Sequence, residues 1–408
     1  MTNPDRKPER PRILYLAGPG DVLGTYRAWT THGTDQSQLH VTFSEQVYGL
    51  ARALDADLYV YGSNPRRQRL KEGRFIFRIE PVPLARRSGA LYHLGMLWRA
   101  LATLWIALRF RPHVALVGQD THVAFLRPLA LLRIKAIGTL VNTLWSQDRP
   151  PSRPQRLLLG LARRFFLRTC TTTLCMSERI AAQVRAICAP HEPDVRVFLP
   201  RYQPDWFAHI PRPDPGATPF RFLFLGRLEV SKGVLDLVHA LATVRAGAGR
   251  AVALEFCGDG PIRAEAEALT RQLGLEDAVR FHGHCDRNRL LEVFGASHVV
   301  VVPTRTSFPE GFNMVVLESV LAGRPVVTSS VCPALEVVAP AAMEVRPDSV
   351  PEYAQAMLAL ATDPRLYARK CAEAGRVAES VFRAENAYGS VLRRAVFAAL
   401  GRTDAAGA

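Results

Sequence analysis

Short apolar runs alternate with longer amphipathic stretches along the chain, and the alternation restarts once. Arg12-Ile-Leu-Tyr-Leu-Ala17 is an apolar run of strand length that closes on Gly18, Pro19 and Gly20. Residues 44–54 then place Val47, Leu50, Ala51 and Leu54 on one helical face, with Ser44 as the expected cap. A second apolar run over 58–61 completes a strand, glycine loop, helix, strand unit. The pattern continues with a very apolar helix predicted over 91–110, strands over 114–117 and 137–144, and a helix over 157–168. A strand over 171–176, a helix from Ser177 to Arg185 and a strand over 195–199 close this half.

Six prolines between Pro200 and Pro219 mark a linker. The alternation then resumes with strands expected over 220–225, 252–256, 299–302 and 325–328, each preceded or followed by a helical stretch. Such repeated βα units predict parallel sheets covered by helices on both faces. Two doubly wound, Rossmann-like α/β domains facing a cleft are therefore expected, in keeping with a length of 408 residues. The last helix is predicted over 382–400.

Charge changes the picture because it is unevenly placed. The formal net charge is +15, and residues 221–408 hold equal numbers of cationic and anionic side chains, so the excess lies wholly in the first half. An anionic membrane surface or a nucleic acid would exploit it through Coulomb attraction. Sparse interleaving of aromatic and basic residues on the predicted strands weighs against nucleic acid. The basic cluster from Arg66 to Arg78 reads as a solvated loop, and the arginine-bearing helix over 157–168 as the best contact for lipid headgroups. Arg99, central in the apolar stretch over 91–110, argues against a membrane span there. Seven cysteines without paired spacing indicate reduced thiols and a cytoplasmic protein, peripheral at the inner membrane face if the basic half binds lipid. Residues 1–11 are polar and do not read as a signal peptide.

Candidate chemistry concentrates in the second half. Glu310 stands at a Pro-Glu-Gly turn and Glu318 inside the apolar run that follows. On a continuous helix the two carboxylates would stand roughly 12 Å apart, a span suited to an extended nucleotide-sugar. The unpaired amides of the helix start between them favour an anion. Arg227 and Lys232 lie in Gly226-Arg-Leu-Glu-Val-Ser-Lys-Gly233, a glycine-bounded loop after a strand, where phosphate is expected. Gly258-Asp259-Gly260 ends the next strand. In the first half, His122 follows a strand end and is a candidate site residue. The second strand ends in Gly62-Ser-Asn64 rather than the acid that would hold an NAD ribose, which weighs against a nicotinamide dehydrogenase. Asp55-Ala-Asp57 reads as a turn and His282 with His284 lack further ligands, so no metal site is expected.

Taken together, Gly226-Arg-Leu, Ser231-Lys-Gly, Gly258-Asp-Gly-Pro and Glu310-Gly-Phe-Asn followed by Glu318 resemble the family 4 glycosyltransferases. The resemblance covers essentially the second half. It implies the GT-B architecture and an acceptor-binding domain over 1–200. A linker over 201–219, a nucleotide-sugar domain over 220–380 and a helix over 381–408 crossing back to the first domain would follow. It also implies transfer with retention at the anomeric carbon and no metal or other cofactor. Arg227 and Lys232 would hold the diphosphate, Glu310 the sugar hydroxyls and Glu318 the ribose. The amides of Gly311, Phe312, Asn313 and Met314 would meet sugar and phosphate. Gly258, Asp259 and Gly260 would lie near the base, with Gly18 and Gly20 facing the diphosphate across the cleft. Asn313 replaces the usual glycine. Trp145 stands where the family carries a sugar-contacting histidine, with His122 as the other acceptor-side candidate. The implied partners are a UDP- or GDP-sugar and a glycan or lipid-linked acceptor. A sugar phosphorylase or nucleotide-sugar epimerase on the same fold is the alternative enzyme reading. A non-catalytic nucleic-acid- or membrane-binding protein is the third.

Overall fold

The computed structural model describes residues 10–84, 87, 89–118, 123–147 and 149–403. The first sheet contains β1 (Arg12–Pro19), β2 (Asp57–Ser63), β3 (Gln68–Glu72), β4 (Phe75–Glu80), β5 (Val114–Gly118), β6 (Lys135–Leu140), β7 (Cys170–Cys175) and β8 (Val195–Val197). Its order is β3-β4-β2-β1-β5-β6-β7-β8, parallel except for β3. The second sheet contains β9 (Phe220–Leu225), β10 (Val252–Cys257), β11 (Val279–Gly283), β12 (Val299–Val302), β13 (Val326–Ser329) and β14 (Ala342–Val345). It is parallel throughout, in the order β11-β10-β9-β12-β13-β14. Both are the doubly wound sheets expected from the apolar runs. β12 is four consecutive valines, all buried, because helices cover both of its faces.

In the first domain α1 (Val22–His32), α2 (Phe43–Ala53), α3 (Ala90–Phe110), α4 (Arg153–Arg168) and α5 (Glu178–Cys188) cover the sheet. The second carries α6 (Val234–Gly247), α7 (Arg263–Gln272), α8 (Arg287–Ala296), α9 (Met314–Leu321), α10 (Leu335–Val338), α11 (Val350–Thr362), α12 (Pro364–Phe382) and α13 (Tyr388–Leu400). One apolar cluster runs from the first sheet through α13 to α9, and a second fills the other side of the second sheet.

Several local expectations change. Thr42, not Ser44, caps α2, its hydroxyl accepting from the Glu45 amide at 3.2 Å. Helix α1 stands within the stretch between Gly20 and Ser44 that was read as a glycine loop. Asp21 caps it at 2.9 Å from the Gly24 amide, and Val22, Leu23 and Tyr26 are its buried side. The Arg66 to Arg78 stretch forms most of a β3–β4 hairpin at the sheet edge, with Phe75, Phe77 and Ile79 pointing in. Ile76, Arg78 and Glu80 alternate with them, and the charged residues of both strands masked the pattern. The final helix starts later than the expected Phe382: α12 ends there, residues 383–387 cross, and α13, from Tyr388, packs on α2 and the first sheet. The crossing is held by Leu199, whose amide donates to Asn386 at 3.0 Å and whose carbonyl accepts from Tyr388 at 2.9 Å.

The linker is tied to the second domain by Arg324, whose side chain is almost wholly buried. It donates to the carbonyls of Pro211 (2.7 Å), Gly295 (3.0 Å), Ser297 (3.2 Å) and Ala322. Burial lowers its pKa to about 10, and this carbonyl cage supplies the hydrogen bonds that a buried guanidinium requires. The seven cysteines are all free thiols.

Candidate active site

The loops after β9 and β10 are knitted together at the carboxyl edge of the second sheet. Gly226 donates to the Cys257 carbonyl and Leu228 to that of Asp259, both at 3.0 Å. At Gly258 φ is +144°, and a Cβ there would lie 1.8 Å from the Gly226 carbonyl oxygen, so only glycine lets the two loops touch. Asp259 is exposed and its carboxylate accepts from the Gly260 amide at 2.8 Å. Gly260 packs on Leu228. This contact sets the position of the 226–233 loop.

From that loop Lys232 reaches Glu310. Its Nζ lies 2.8 Å from Glu310 Oε2 and 3.5 Å from the centroid of the Phe308 ring, with both charged side chains largely buried. Asn313 Nδ2 donates to the same carboxylate oxygen at 3.0 Å. Asn313 is the N-cap of α9 at φ +72°, and its Oδ1 accepts from the Val316 amide at 3.4 Å. Asparagine tolerates the left-handed conformation that a glycine would otherwise supply, and adds a cap and a hydrogen bond to Glu310. Arg227 differs from Lys232: its side chain is 64% exposed and paired with Glu229 at 2.7 Å in a solvent-screened contact that a ligand can replace.

Glu318 lies on α9, and only the steps from Met314 onward are helical. The two carboxylates are therefore joined by a turn plus roughly 6 Å of helical rise, not by a continuous 12 Å helix. Glu318 is buried, with Tyr202 Oη donating to its carboxylate at 3.4 Å and lying 3.9 Å from the Met314 sulfur. Burial pushes the Glu318 carboxyl up to about 7 and the Tyr202 phenol well above its usual value. A carboxyl whose folded pKa exceeds its unfolded value of 4.5 contributes stability that is fully present below that value and lost as pH rises through about 7. Glu318→Gln, neutral at every pH, is accordingly expected to gain in melting temperature relative to the wild type on going from about pH 5 to pH 8. Parallel pH profiles for the two proteins in differential scanning fluorimetry would contradict this.

The first domain closes on this turn. Gly311 sits so near the backbone of Val141 and Asn142 that a Cβ would lie 2.0 Å from the Val141 carbonyl oxygen. Ser177 Oγ donates to the Gly311 carbonyl at 2.7 Å. Arg179 donates to the carbonyls of Ser330 and Val331, the latter at 2.9 Å, and Gln147 to Ser330 at 3.3 Å. Phe312 is buried in the core, so only its backbone is available to a ligand. Facing this wall, Gly18 and Gly20 at the end of β1 line a cavity of about 270 Å³ together with Thr25, His40, Thr139 and Tyr388. A larger cavity of about 1260 Å³ lies between the linker and α8 and is lined by none of the carboxylates or cations above.

Of the two expected acceptor-side residues, Trp145 lies in the loop after β6. β6 ends at Leu140, so Val141 and Asn142, not Trp145, occupy the first positions beyond it. Trp145 is half-buried in the following loop. That loop is stapled to α5 by Gln183, which donates to the Trp145 carbonyl at 3.0 Å and accepts from the Leu144 amide at 2.7 Å. His122 lies outside the described residues. Sequence reasoning missed His40, whose pKa burial depresses to about 4, leaving a neutral imidazole with an unpartnered, buried Nδ1 among the described residues. It also missed Tyr202, Ser177 and Arg179. Asp55 is paired with Arg10 and Arg74, and His282 with Glu255 at 2.9 Å. Among the described residues no group of three or more His, Cys, Asp or Glu side chains is placed to hold a metal.

Residues 209–378 match the family model described as glycosyl transferases group 1. An uncharacterized glycosyltransferase of Methanocaldococcus jannaschii is 36% identical over 116 residues, 28% of this chain and 28% of that protein. The chain thus spans little more than a quarter of the length of that curated relative. Among solved structures, sucrose-phosphate synthase from Thermosynechococcus elongatus superposes with a TM-score of 0.68 at 18% identity, over 96% of this chain and 100% of the other. Anabaena HepE in complex with UDP superposes with a TM-score of 0.66 at 16% identity, over 96% and 99%. The second domain therefore matches the group 1 glycosyl transferase pattern, and the whole chain has the GT-B fold of two Rossmann-like domains face to face.

Proposed function

We propose that the chain is a retaining glycosyltransferase of the family 4 type, with Glu310 and Glu318 as its spaced pair. It moves a sugar from a UDP- or GDP-sugar to a glycan or lipid-linked acceptor. The observation that carries this reading is the Lys232–Glu310 contact: a largely buried cation from the loop after β9 lies 2.8 Å from the carboxylate that leads into α9. Without ligand the two charges offset one another. With a nucleotide-sugar in place, Lys232 turns to the diphosphate and Glu310 accepts from sugar hydroxyls. Arg227 swings in from its exposed position, and the two cations offset the charge that grows on the leaving diphosphate, the task a metal would otherwise perform. The N-terminal amides of α9 add to that field.

Glu318 accepts from the ribose hydroxyls in its ionised form, which exchanges the Tyr202 hydrogen bond for ligand contacts. Gly18 and Gly20 face the diphosphate from the first domain, and the acceptor enters beside Val141 and Asn142. Support comes from the second domain's family match and from the UDP complex of a protein with the same fold. The test is to incubate the purified protein with UDP- and GDP-sugars and a panel of glycan and lipid-linked acceptors, following products by NMR. Release of nucleoside diphosphate and a glycoside with the donor's anomeric configuration is expected. Free sugar phosphate, an epimerised donor or no turnover of any donor would each overturn the reading.

A further inference from the structure

Of the twelve large hydrophobic side chains exposed among the described residues, eleven lie between Leu84 and Leu161. Six of them, Leu91, Leu94, Trp98, Leu101, Trp105 and Leu108, recur every three or four residues and form one stripe along α3. Trp98 is 66% exposed and Trp105 51%, values foreign to a helix packed only against its own sheet. The opposite side of α3 is anchored. Met96, Ala100, Thr103, Ile106 and Ala107 are buried, and the Arg99 guanidinium donates to the carbonyls of Ala17, Tyr61 and Gly62 at 3.3 Å. Its residues 91–110 are long and apolar enough to cross a bilayer, yet these tethers hold the helix flat on the domain.

The stripe continues across neighbouring elements. α3 packs against the 3-10 segment Val123–Ala130, and that segment against α4. Leu131, 86% exposed, follows the segment, and Leu157 and Leu161 stand on the solvent side of α4 between Arg153, Arg164 and Arg168. Charge gathers over the same stretch. Between residues 81 and 177 the chain holds fourteen Lys or Arg and two Asp, which accounts for most of its +15. Arg109 stacks on the Trp105 ring at 4.9 Å, and Arg78 floors a groove of about 380 Å³ walled by Trp98, Leu101 and Trp105.

We propose that α3, residues 123–131 and α4 form one docking surface for an anionic lipid bilayer. The α3 stripe lies in the plane of the interface and the surrounding arginines meet lipid phosphates. Tryptophan on the apolar face and arginine at its margins is the side-chain distribution such a plane selects. A second copy of the chain would set two strongly cationic faces against each other, and a nucleic acid would leave the apolar stripe in water. Only an anionic membrane satisfies both features. α3 and α4 follow β4 and β6, so both helices start near the strand ends that border the cleft. A lipid-linked substrate would thus be presented at its rim. The proposal names the surface from which the glycosyltransferase reading would draw its acceptor, but it stands on the α3 stripe and the local charge alone.

The experiment is vesicle co-sedimentation without nucleotide, comparing phosphatidylcholine with phosphatidylcholine plus phosphatidylglycerol at low and high salt. The wild type is expected to bind the anionic vesicles at least about tenfold more tightly, with added salt weakening it. Trp98→Glu combined with Trp105→Glu is expected to lose about tenfold or more of that binding while keeping the wild-type melting temperature. Arg153→Glu combined with Arg164→Glu should abolish the salt-sensitive part. Brominated lipids should quench wild-type tryptophan fluorescence. Wild-type protein that ignores anionic vesicles, or a tryptophan double variant that binds them unchanged, overturns the proposal. So does a wild-type dimer that becomes monomeric in that variant and binds no vesicles, since the face then serves a second copy. Donor turnover is measured separately, so failure of lipid binding and failure of the glycosyltransferase reading are distinguishable.

Discussion

Glu310→Gln is expected to lower the rate of sugar transfer by roughly 10²–10³-fold with the fold intact. Glutamine keeps the size of the side chain and can still accept from Asn313, which lies 3.0 Å from Oε2. What it loses is the negative charge that holds Lys232 at 2.8 Å and the acceptor capacity of a carboxylate for sugar hydroxyls. The harsher Glu310→Ala is less informative, because it also strips the carboxylate from a largely buried ammonium that lies against the Phe308 ring. Removing one partner of a buried pair costs about 3–5 kcal/mol, enough to confuse lost activity with lost protein. Steady-state rates for the glutamine variant, normalised to folded protein, decide the matter. A variant as active as the wild type would remove Glu310 from the account.

Arg227→Ala is the complementary case, expected to be nearly silent in stability and severe in transfer. Its side chain is 64% exposed and its ion pair with Glu229 is solvated, so its loss should shift stability by less than about 0.5 kcal/mol. If it offsets charge on the leaving diphosphate, transfer should fall about 10²-fold or more. Adding Lys232→Ala should deepen the defect and weaken binding of nucleoside diphosphate, since both cations then leave the same loop. The two effects need not add, because the residues share one ligand. An unchanged rate for Arg227→Ala would mean that the loop after β9 does not face the phosphates.

The architecture was legible because its signal is local and repeated. Runs such as Val299–Val302 and Phe222–Leu225 are unbroken apolar segments, which in a chain of alternating helices belong to parallel strands covered on both sides. Elements were lost where charge masked the alternation, as in the β3–β4 hairpin. They were also lost where a short amphipathic stretch followed a glycine loop, as in α1. The break between α12 and α13 carries no proline or glycine between Phe382 and Tyr388. It is set by the backbone bridge to Leu199, a tertiary contact.

The site divides along the same line. Arg227, Lys232, Glu310 and Glu318 sit in compact motifs whose spacing can be read directly. Their partners do not: Tyr202 meets Glu318 from 116 residues away, and Ser177 meets Gly311 across 134. Sequence spacing says nothing about such pairs. The place of Trp145 relative to the strand end has the same origin. β6 ends at Leu140, several residues earlier than its apolar run suggests, and Val141 and Asn142 take the place beside Gly311. Asn313 shows the reverse: an unexpected residue type becomes intelligible once its φ of +72° and its N-cap position are seen.

Thermal-shift titration of the wild-type protein with UDP, GDP and their sugar conjugates tests most directly whether this cleft binds a nucleotide-sugar. A ligand that binds only the folded state raises stability in proportion to the logarithm of its excess over the dissociation constant. A concentration-dependent rise in melting temperature is expected with at least one nucleotide series, strongly reduced when Arg227 and Lys232 are both replaced by alanine. A melting temperature indifferent to every nucleotide, or an equal rise in the double variant, would contradict it.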